Sequence, residues 1–101
     1  MEKRSSHYGL ENIKDTFQKV SQLRMSRTAR QETVKLGLTF EEVVSIIQSL
    51  RPRDFYKSMT TYADHTIWQD VYHSEYNGIP LYIKFMADNS ENYLIISFKR
   101  K

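Results

Sequence analysis

The sequence predicts an α+β fold in which N-terminal helices pack on one face of a C-terminal antiparallel sheet. In the first half of the chain apolar residues recur at helical spacing, whereas in much of the second half they alternate every second residue. Asn77-Gly78 is the dipeptide favoured in two-residue hairpin turns. Helices that precede a run of antiparallel strands are typical of α+β domains. A length of 101 residues suits one domain with one core, spanning residues 1–101.

Two helices are predicted before residue 38. The apolar face of the first is formed by Leu10, Ile13, Phe17 and Val20. The second begins at Thr28-Ala-Arg-Gln31, which has the residue types of a capping box. Gly37 ends this second helix, because glycine readily adopts the left-handed conformation found after helix C-termini.

A third helix is predicted from Thr39 to about Leu50. Thr39-Phe-Glu-Glu42 is a stronger capping box, in which the threonine and the last glutamate satisfy each other's backbone N–H groups. Pro52 stops the helix because proline has no N–H and restricts the residue before it. The buried stripe is expected to contain Phe40, Val43 or Val44, Ile47 and Leu50.

The second half of the chain predicts a meander of three strands. The first runs from His65 to about Tyr76 and is joined by the Asn77-Gly78 turn to the second, Leu81 to Met86. The third strand, Leu94 to Lys99, follows a polar turn. The segment Arg53 to Asp64 fits neither period and is interpreted as a loop that delivers side chains.

Strand alternation predicts which residues share the face turned away from the helices. The core face is expected to contain Leu81, Ile83, Phe85, Leu94, Ile96 and Phe98. Tyr82, Lys84 and Lys99 then point outward. In the first strand the alternation is ambiguous, and we take the larger aromatic pair, Trp68 and Tyr72, as core residues. This choice places Gln69 outward, and the preceding loop would bring Tyr56 and Lys57 to the edge of the face.

Such a face suits RNA cleavage by attack of a ribose 2′-hydroxyl on the adjacent phosphate. Lysines stabilise the negative charge of the transition state, an amide orients the phosphate or base, and exposed aromatic rings stack on bases. His65 is considered as a general acid, against its ordinary role as a polar residue at a strand end. Two readings compete with catalysis: a solvated sheet face that serves solubility alone, and a module that binds RNA or an acidic protein without cutting.

The net charge of +3 and the pI of about 9.2 permit contact with phosphate groups but do not demonstrate it. The basic residues form two clusters that could flank one groove: Arg24, Arg27 and Arg30, and Lys99, Arg100 and Lys101. The alternative is that both clusters are solvated surface charge.

Composition also sets expectations about cofactors and compartment. With no cysteine and three scattered histidines, the sequence predicts no zinc site, no other metal site and no cofactor. No run approaches the roughly 20 apolar residues of a membrane span, and the opening residues do not resemble a secretory signal. We therefore expect a cytoplasmic protein with no membrane partner.

The segment Asp54 to Tyr72, DFYKSMTTYADHTIWQDVY, resembles the MqsR family of bacterial toxins. The likeness extends to the opening Met-Glu-Lys-Arg, to Lys35-Leu-Gly-Leu38, to Leu81-Tyr-Ile-Lys84 and to Ile96-Ser-Phe-Lys99. The chain departs from the family pattern between His73 and Ile79 and in the turn from Asp88 to Asn92. Both segments adjoin the predicted groove, so the resemblance does not fix the RNA sequence preference or the range of antitoxins bound.

The resemblance implies a RelE-like α+β fold and the toxin of a type II toxin-antitoxin system, an endoribonuclease that cuts messenger RNA at GCU or related GC-containing sites. It implies catalytic roles for Lys57, Gln69, Tyr82 and Lys99, the residues that strand alternation had already grouped. The residues expected to contact RNA are Tyr56, His65, Lys84, Arg24 and Arg27.

The implied partner is an MqsA-like antitoxin with a zinc-binding N-terminal domain and a helix-turn-helix C-terminal domain, through which the complex would bind operator DNA. Because the third predicted strand would lie at a sheet edge, we expect the antitoxin to bind by strand addition there or by complementary acidic charge.

Overall fold

The computed structural model describes residues 1–101 and confirms the predicted α+β fold. Its helices are α1 (Leu10–Thr16), α2 (Arg27–Lys35) and α3 (Phe40–Ser49), with short 3-10 turns at Val20–Gln22 and Pro52–Asp54. The strands are β1 (Glu2–Lys3), β2 (Phe55–Thr60), β3 (Trp68–Tyr76), β4 (Ile79–Ala87) and β5 (Tyr93–Arg100). They form one antiparallel sheet in the order β1-β2-β3-β4-β5. No helix in the structure has the length and apolarity that crossing a membrane requires.

The loop prediction for Arg53 to Asp64 is wrong, because Phe55–Thr60 is strand β2. The strand was not recognised because it contains a bulge at Tyr56. Phe55 pairs with Tyr72 and Lys57 pairs with Val71, so the two-residue alternation of side chains is interrupted. β3 correspondingly begins at Trp68 rather than at His65. The sheet therefore has two more strands than the predicted meander.

The helix-capping predictions have mixed outcomes. The capping box at Thr39 is confirmed, with Thr39 Oγ1 accepting from Glu42 N at 3.1 Å and Glu42 Oε1 accepting from Thr39 N at 2.9 Å. The box proposed at Thr28 is wrong, because the N-cap is Ser26, two residues earlier, and its Oγ accepts from Ala29 N. The first helix ends at Thr16, and Val20 lies exposed in a separate 3-10 turn.

All three helices contribute to one apolar core on a single face of the sheet. Its 13 buried residues are Ile13, Phe17, Ala29, Val43, Ile46, Ile47, Leu50, Tyr72, Leu81, Ile83, Phe85, Ile95 and Phe98. The core face of β4 is as predicted, whereas the assignment of Leu94 and Ile96 to the core is wrong. Phe85 pairs with Ile95 but Lys84 pairs with Ser97, so an extra residue in β5 shifts the alternation and buries Ile95 instead.

The Ile95 to Phe98 part of β5 is not the free sheet edge that the sequence suggested. The chain before α2 forms a parallel bridge there, with Ile95 N donating to Arg24 O and Ser26 N donating to Ile95 O, both at 2.9 Å. Farther along, Phe98 N donates to Glu32 Oε1 of α2 at 2.9 Å. Strand addition by an antitoxin on this stretch would have to displace these contacts.

A buried carboxylate attaches the N-terminal segment to the sheet. Asp70 accepts hydrogen bonds from the backbone N–H groups of His7 and Tyr8 and, at 2.6 Å, from Ser58 Oγ. The attached segment covers Trp68, with His7 stacked on the indole and Lys3 Nζ 4.1 Å from the ring centroid. Trp68 is therefore half-buried on the core side, but beneath the N-terminal segment rather than beneath the helices.

Asp70→Ala should lower the free energy of unfolding by on the order of 3 kcal/mol, because it leaves several partly or fully buried donors without an acceptor. Urea denaturation of the wild type and the variant measures this difference. The matched control is Asp15→Ala on the exposed side of α1, which should change stability by less than about 0.5 kcal/mol. Equal effects of the two substitutions would show that Asp70 does not anchor the N-terminal segment.

Candidate active site

The predicted residues of strands β2 to β5 lie on the sheet face opposite the core, hereafter the open face. Tyr82 of β4 lies between His73 of β3 and Lys99 of β5 in the strand register, and directly opposed residues project to the same side. Lys57 is opposite Val71, two residues before His73 and on the same side of β3. Gln69 shares that side as well. The structure therefore places Lys57, Gln69, Tyr82 and Lys99 on one face.

A row of aromatic and basic side chains crosses the open face, hereafter the aromatic–basic row. It begins with Tyr56, whose ring is stacked on His73 with centroids 4.2 Å apart. His73 is in turn 5.7 Å from the ring of Tyr82. Three lysine amines adjoin the rings: Lys57 Nζ is 5.3 Å from the Tyr56 centroid, and Lys84 Nζ and Lys99 Nζ are 5.6 and 5.2 Å from that of Tyr82. Three amines beside three rings can bind phosphate groups and stack bases of one RNA strand.

Gln69 borders this row rather than joining it. It pairs with Met59 and lies four residues from His73 along β3, roughly 13 Å at the rise of an extended strand. Its amide therefore lies on the same face as Tyr82 but outside the aromatic–basic row.

Three of the predicted RNA contacts lie outside the aromatic–basic row. His65 is exposed in the loop between β2 and β3. Arg24 binds Asp88 at 2.9 Å and donates to the carbonyls of Asn92 and Tyr93 near the start of β5. Lys99 is six residues farther along that strand, roughly 20 Å away. Arg27, which belongs to the same basic cluster as Arg24, is the first residue of α2. Arg24 and Lys99, one from each basic cluster, are therefore at opposite ends of β5.

The electrostatics of the open face differ from lysine to lysine. Lys57 Nζ donates to the Glu2 carboxylate of β1 at 2.6 Å, and this hydrogen bond raises the pKa of Lys57 above its usual range. The pKa of Lys84 is lowered, first by burial and then by the nearby charges of Lys99 and Lys57. Burial raises the pKa of Tyr82, so its hydroxyl keeps its proton at neutral pH. The face therefore presents both ammonium groups and a phenol that donates.

Comparison with known proteins identifies the family. The family described as "Motility quorum-sensing regulator, toxin of MqsA" matches residues 5–100. A protein of Escherichia coli (strain K12), the mRNA interferase toxin MqsR, is 43% identical over 101 residues, covering 100% of both chains. The chain belongs to the MqsR toxin family. The predicted family resemblance is therefore confirmed, and the matched residues include the four predicted catalytic positions.

In this MqsR-family toxin the open face is a shallow surface rather than a deep pocket. The largest cavity, about 400 Å³, lies on the helix side and is lined by Gly9, Leu10, Pro52 and neighbouring residues. A concavity of about 300 Å³ adjoins the row at Lys99, between α2 and β5, and contains Lys35 and Arg100. No three His, Asp or Glu side chains lie close enough to share a metal ion. The open face accommodates an extended polymer better than it would enclose a small molecule.

Sequence reasoning missed His73 and favoured His65. His65 was favoured because it was predicted to begin the strand and was taken as the only histidine near the face, but β3 begins at Trp68 and His65 lies in the loop before it. The signal for His73 was present, because it has the same alternation in β3 as Gln69. The structure places His73 between Tyr56 and Tyr82, in the centre of the aromatic–basic row.

Proposed function

We propose that this MqsR-family toxin is an endoribonuclease that cuts messenger RNA on its open face, by attack of a ribose 2′-hydroxyl on the adjacent phosphate. The observation that carries the proposal is the aromatic–basic row, in which three lysine amines lie beside stacked rings on one exposed sheet surface. The name of the E. coli relative, mRNA interferase toxin, supports the same activity.

The proposed reaction needs positive charge where the phosphate becomes more negative. Lys57 and Lys99 are assigned to this role, because ammonium groups beside the pentacoordinate phosphate stabilise the transition state more than the ground state. In the free protein Lys57 Nζ donates a hydrogen bond to the Glu2 carboxylate. In the complex with RNA a phosphate oxygen would replace Glu2 as the acceptor. The Tyr82 hydroxyl donates a hydrogen bond to a phosphate oxygen, and Gln69 orients the neighbouring nucleotide through its amide.

The exposed rings would hold the RNA strand in the extended form that in-line attack requires. Tyr56 is 41% exposed, so one of its faces can stack on a base while His73 covers the other. Base stacking is worth roughly 1–3 kcal/mol per base in single-strand binding proteins. His65, Arg24 and Arg27 are proposed as contacts to RNA outside the cleavage site.

The cleavage is proposed to need no metal ion. The nucleophile is the substrate's own 2′-hydroxyl, which intramolecular placement makes effective without a metal-bound hydroxide. The groups of the open face themselves supply positive charge and exchangeable protons. The products would carry a 2′,3′-cyclic phosphate or 3′-phosphate and a free 5′-hydroxyl.

The family match supports the proposed mRNA substrate and antitoxin partner. Cleavage is assigned to GCU or related GC-containing sites of messenger RNA in the cytoplasm, where it would inhibit translation. The partner is an MqsA-like antitoxin with a zinc-binding domain and a helix-turn-helix domain that carries the complex to operator DNA. Because the Ile95 to Phe98 edge is covered, contact through charge complementary to this basic chain is the favoured mode.

Incubating the purified toxin with a long RNA, without ribosomes, tests the proposed function. Mapping the 5′ ends of the fragments should show cuts concentrated at GC-containing sites. Adding the purified MqsA-like antitoxin should suppress these cuts. Binding of RNA without any cutting would instead support the non-catalytic module, and cuts spread evenly over all sequences would contradict the proposed preference.

A further inference from the structure

We propose that His73 is a further catalytic residue, which accepts the proton of the attacking 2′-hydroxyl. This inference rests on the proposed function and assigns a proton acceptor to it. No catalytic role follows for His73 from the family resemblance, because the chain departs from the family pattern at this point.

The position of His73 suits direct contact with the reacting ribose. Its ring lies between two tyrosines, stacked on Tyr56 at 4.2 Å with 21° between the planes and tilted toward Tyr82 at 5.7 Å. Stacking on Tyr56 occupies one face of the imidazole, and the His73 side chain remains partly exposed. The ring is therefore restrained in orientation while its nitrogens can exchange a proton.

His73 also differs chemically from its neighbours. The titratable groups that face it are Tyr56 and Lys57 of β2, Tyr82 and Lys84 of β4, Glu75 of its own strand, and Lys101 at the chain end. Phenols and ammonium groups ordinarily lose their protons only near pH 10, so they are poor acceptors at neutral pH. An imidazole has a free nitrogen lone pair under the same conditions.

The surroundings keep that imidazole neutral. Burial lowers the pKa of His73, and the positive charges of Lys101 and Lys57 lower it further. The ordinary value for histidine is 6.5, so the lowered pKa makes the neutral base the main form at pH 7. A base whose pKa lies below the working pH is unprotonated and can accept a proton in general base catalysis.

The proton and electron pairs can be followed through the step. The 2′-O–H bond breaks and its proton moves to a nitrogen of His73, while the 2′-oxygen forms a bond to phosphorus. The bond from phosphorus to the 5′-oxygen then breaks with its electron pair, and that oxygen takes a proton from a lysine ammonium of the row. Lys84 is assigned as the donor, because its Nζ lies 5.6 Å from the Tyr82 ring centroid in the same row, and because burial lowers its pKa and makes it a stronger acid than an ordinary lysine.

The test is the pH dependence of kcat/KM for cleavage of a short RNA. For the wild type, kcat/KM should rise with pH while His73 loses its proton, with a midpoint below 6.5, and then level off. His73→Gln should slow cleavage by about 10²- to 10⁴-fold and lose this acidic limb. His73→Phe keeps a stacking ring but no nitrogen, and should be equally slow. The control His7→Gln changes a histidine that lies against Trp68, and should keep the limb.

The outcomes separate this inference from the proposed function. If His73→Phe keeps wild-type activity, the ring serves only for stacking and the inference is overturned. NMR titration of the wild-type His73 ring gives a second test that needs no variant, and a pKa above 7.5 would likewise overturn it. If the wild type cuts no RNA at any pH, the proposed function itself fails. If the wild type cuts RNA and both His73 variants have the same pH profile of kcat/KM as the wild type, the role of His73 is excluded but the proposed function stands.

Discussion

Replacing Lys57 or Lys99 by alanine should slow single-turnover RNA cleavage by on the order of 10² to 10³. The loss follows from the position of both amines in the aromatic–basic row, where each would face the phosphate that gains charge. RNA binding should weaken less than the rate does, because an interaction made mainly in the transition state contributes little to ground-state affinity.

Folding should survive both substitutions. Lys99 is exposed, and the partner of Lys57 is the exposed carboxylate of Glu2, so the thermal midpoint should change little. Lys19→Ala is the matched control, because it removes the same charge from an exposed position outside the sheet and should leave the rate near that of the wild type. A parallel loss of thermal stability and activity in the Lys57 or Lys99 variant would mark that lysine as structural.

A second large effect is expected from a change in the substrate. An RNA whose nucleotide 5′ of the scissile phosphate is 2′-deoxy should not be cut at that position, since the nucleophile is missing. Binding should be nearly unchanged, because every phosphate and base remains for the lysines and rings of the open face. Rates and dissociation constants measured on the same oligonucleotide pair separate the two effects.

A matched substrate completes this experiment. Moving the 2′-deoxy sugar to the 3′ side of the scissile phosphate removes a hydroxyl that does not attack, so cutting should continue. Cleavage of the first deoxy substrate at the all-RNA rate would exclude 2′-hydroxyl attack and point to hydrolysis by an activated water.

The sequence predicted the parts of the fold whose local signals agree with one another. The Asn77-Gly78 turn has φ values of 49° and 81°, both positive as a type I′ hairpin turn requires, and it fixes the register between β3 and β4. Strand β2 was missed because its signal is not local. A bulge interrupts its period, and the strand contains the polar Ser58, which is buried with its hydroxyl donating a hydrogen bond to Asp70. Neither feature can be recognised from residues 55–60 alone.

The open face was predictable wherever alternation was uninterrupted. Tyr82 and Lys84 follow from the regular period of β4, and Lys99 follows from Phe98, which lies after the bulge in β5. Leu94 lies before that bulge, and there the same reasoning gave the wrong face. His73 was also predictable from its alternation with Gln69, whereas the exclusion of His65 depended on where β3 begins, a boundary fixed by its pairing with β2. Contacts between distant segments, such as that of Glu2 with Lys57, had no signal in the sequence.

The chemical identity of the RNA ends tests the proposed cleavage reaction most directly. Mass spectrometry should be applied to the fragments that the purified wild-type toxin makes from one oligonucleotide in EDTA, beside the Lys57→Ala/Lys99→Ala double variant. The account predicts 2′,3′-cyclic phosphate or 3′-phosphate on one new end and a free 5′-hydroxyl on the other, with neither formed by the variant above background. New ends carrying a 5′-phosphate and a 3′-hydroxyl, or fragments that appear only when magnesium replaces EDTA, would contradict it.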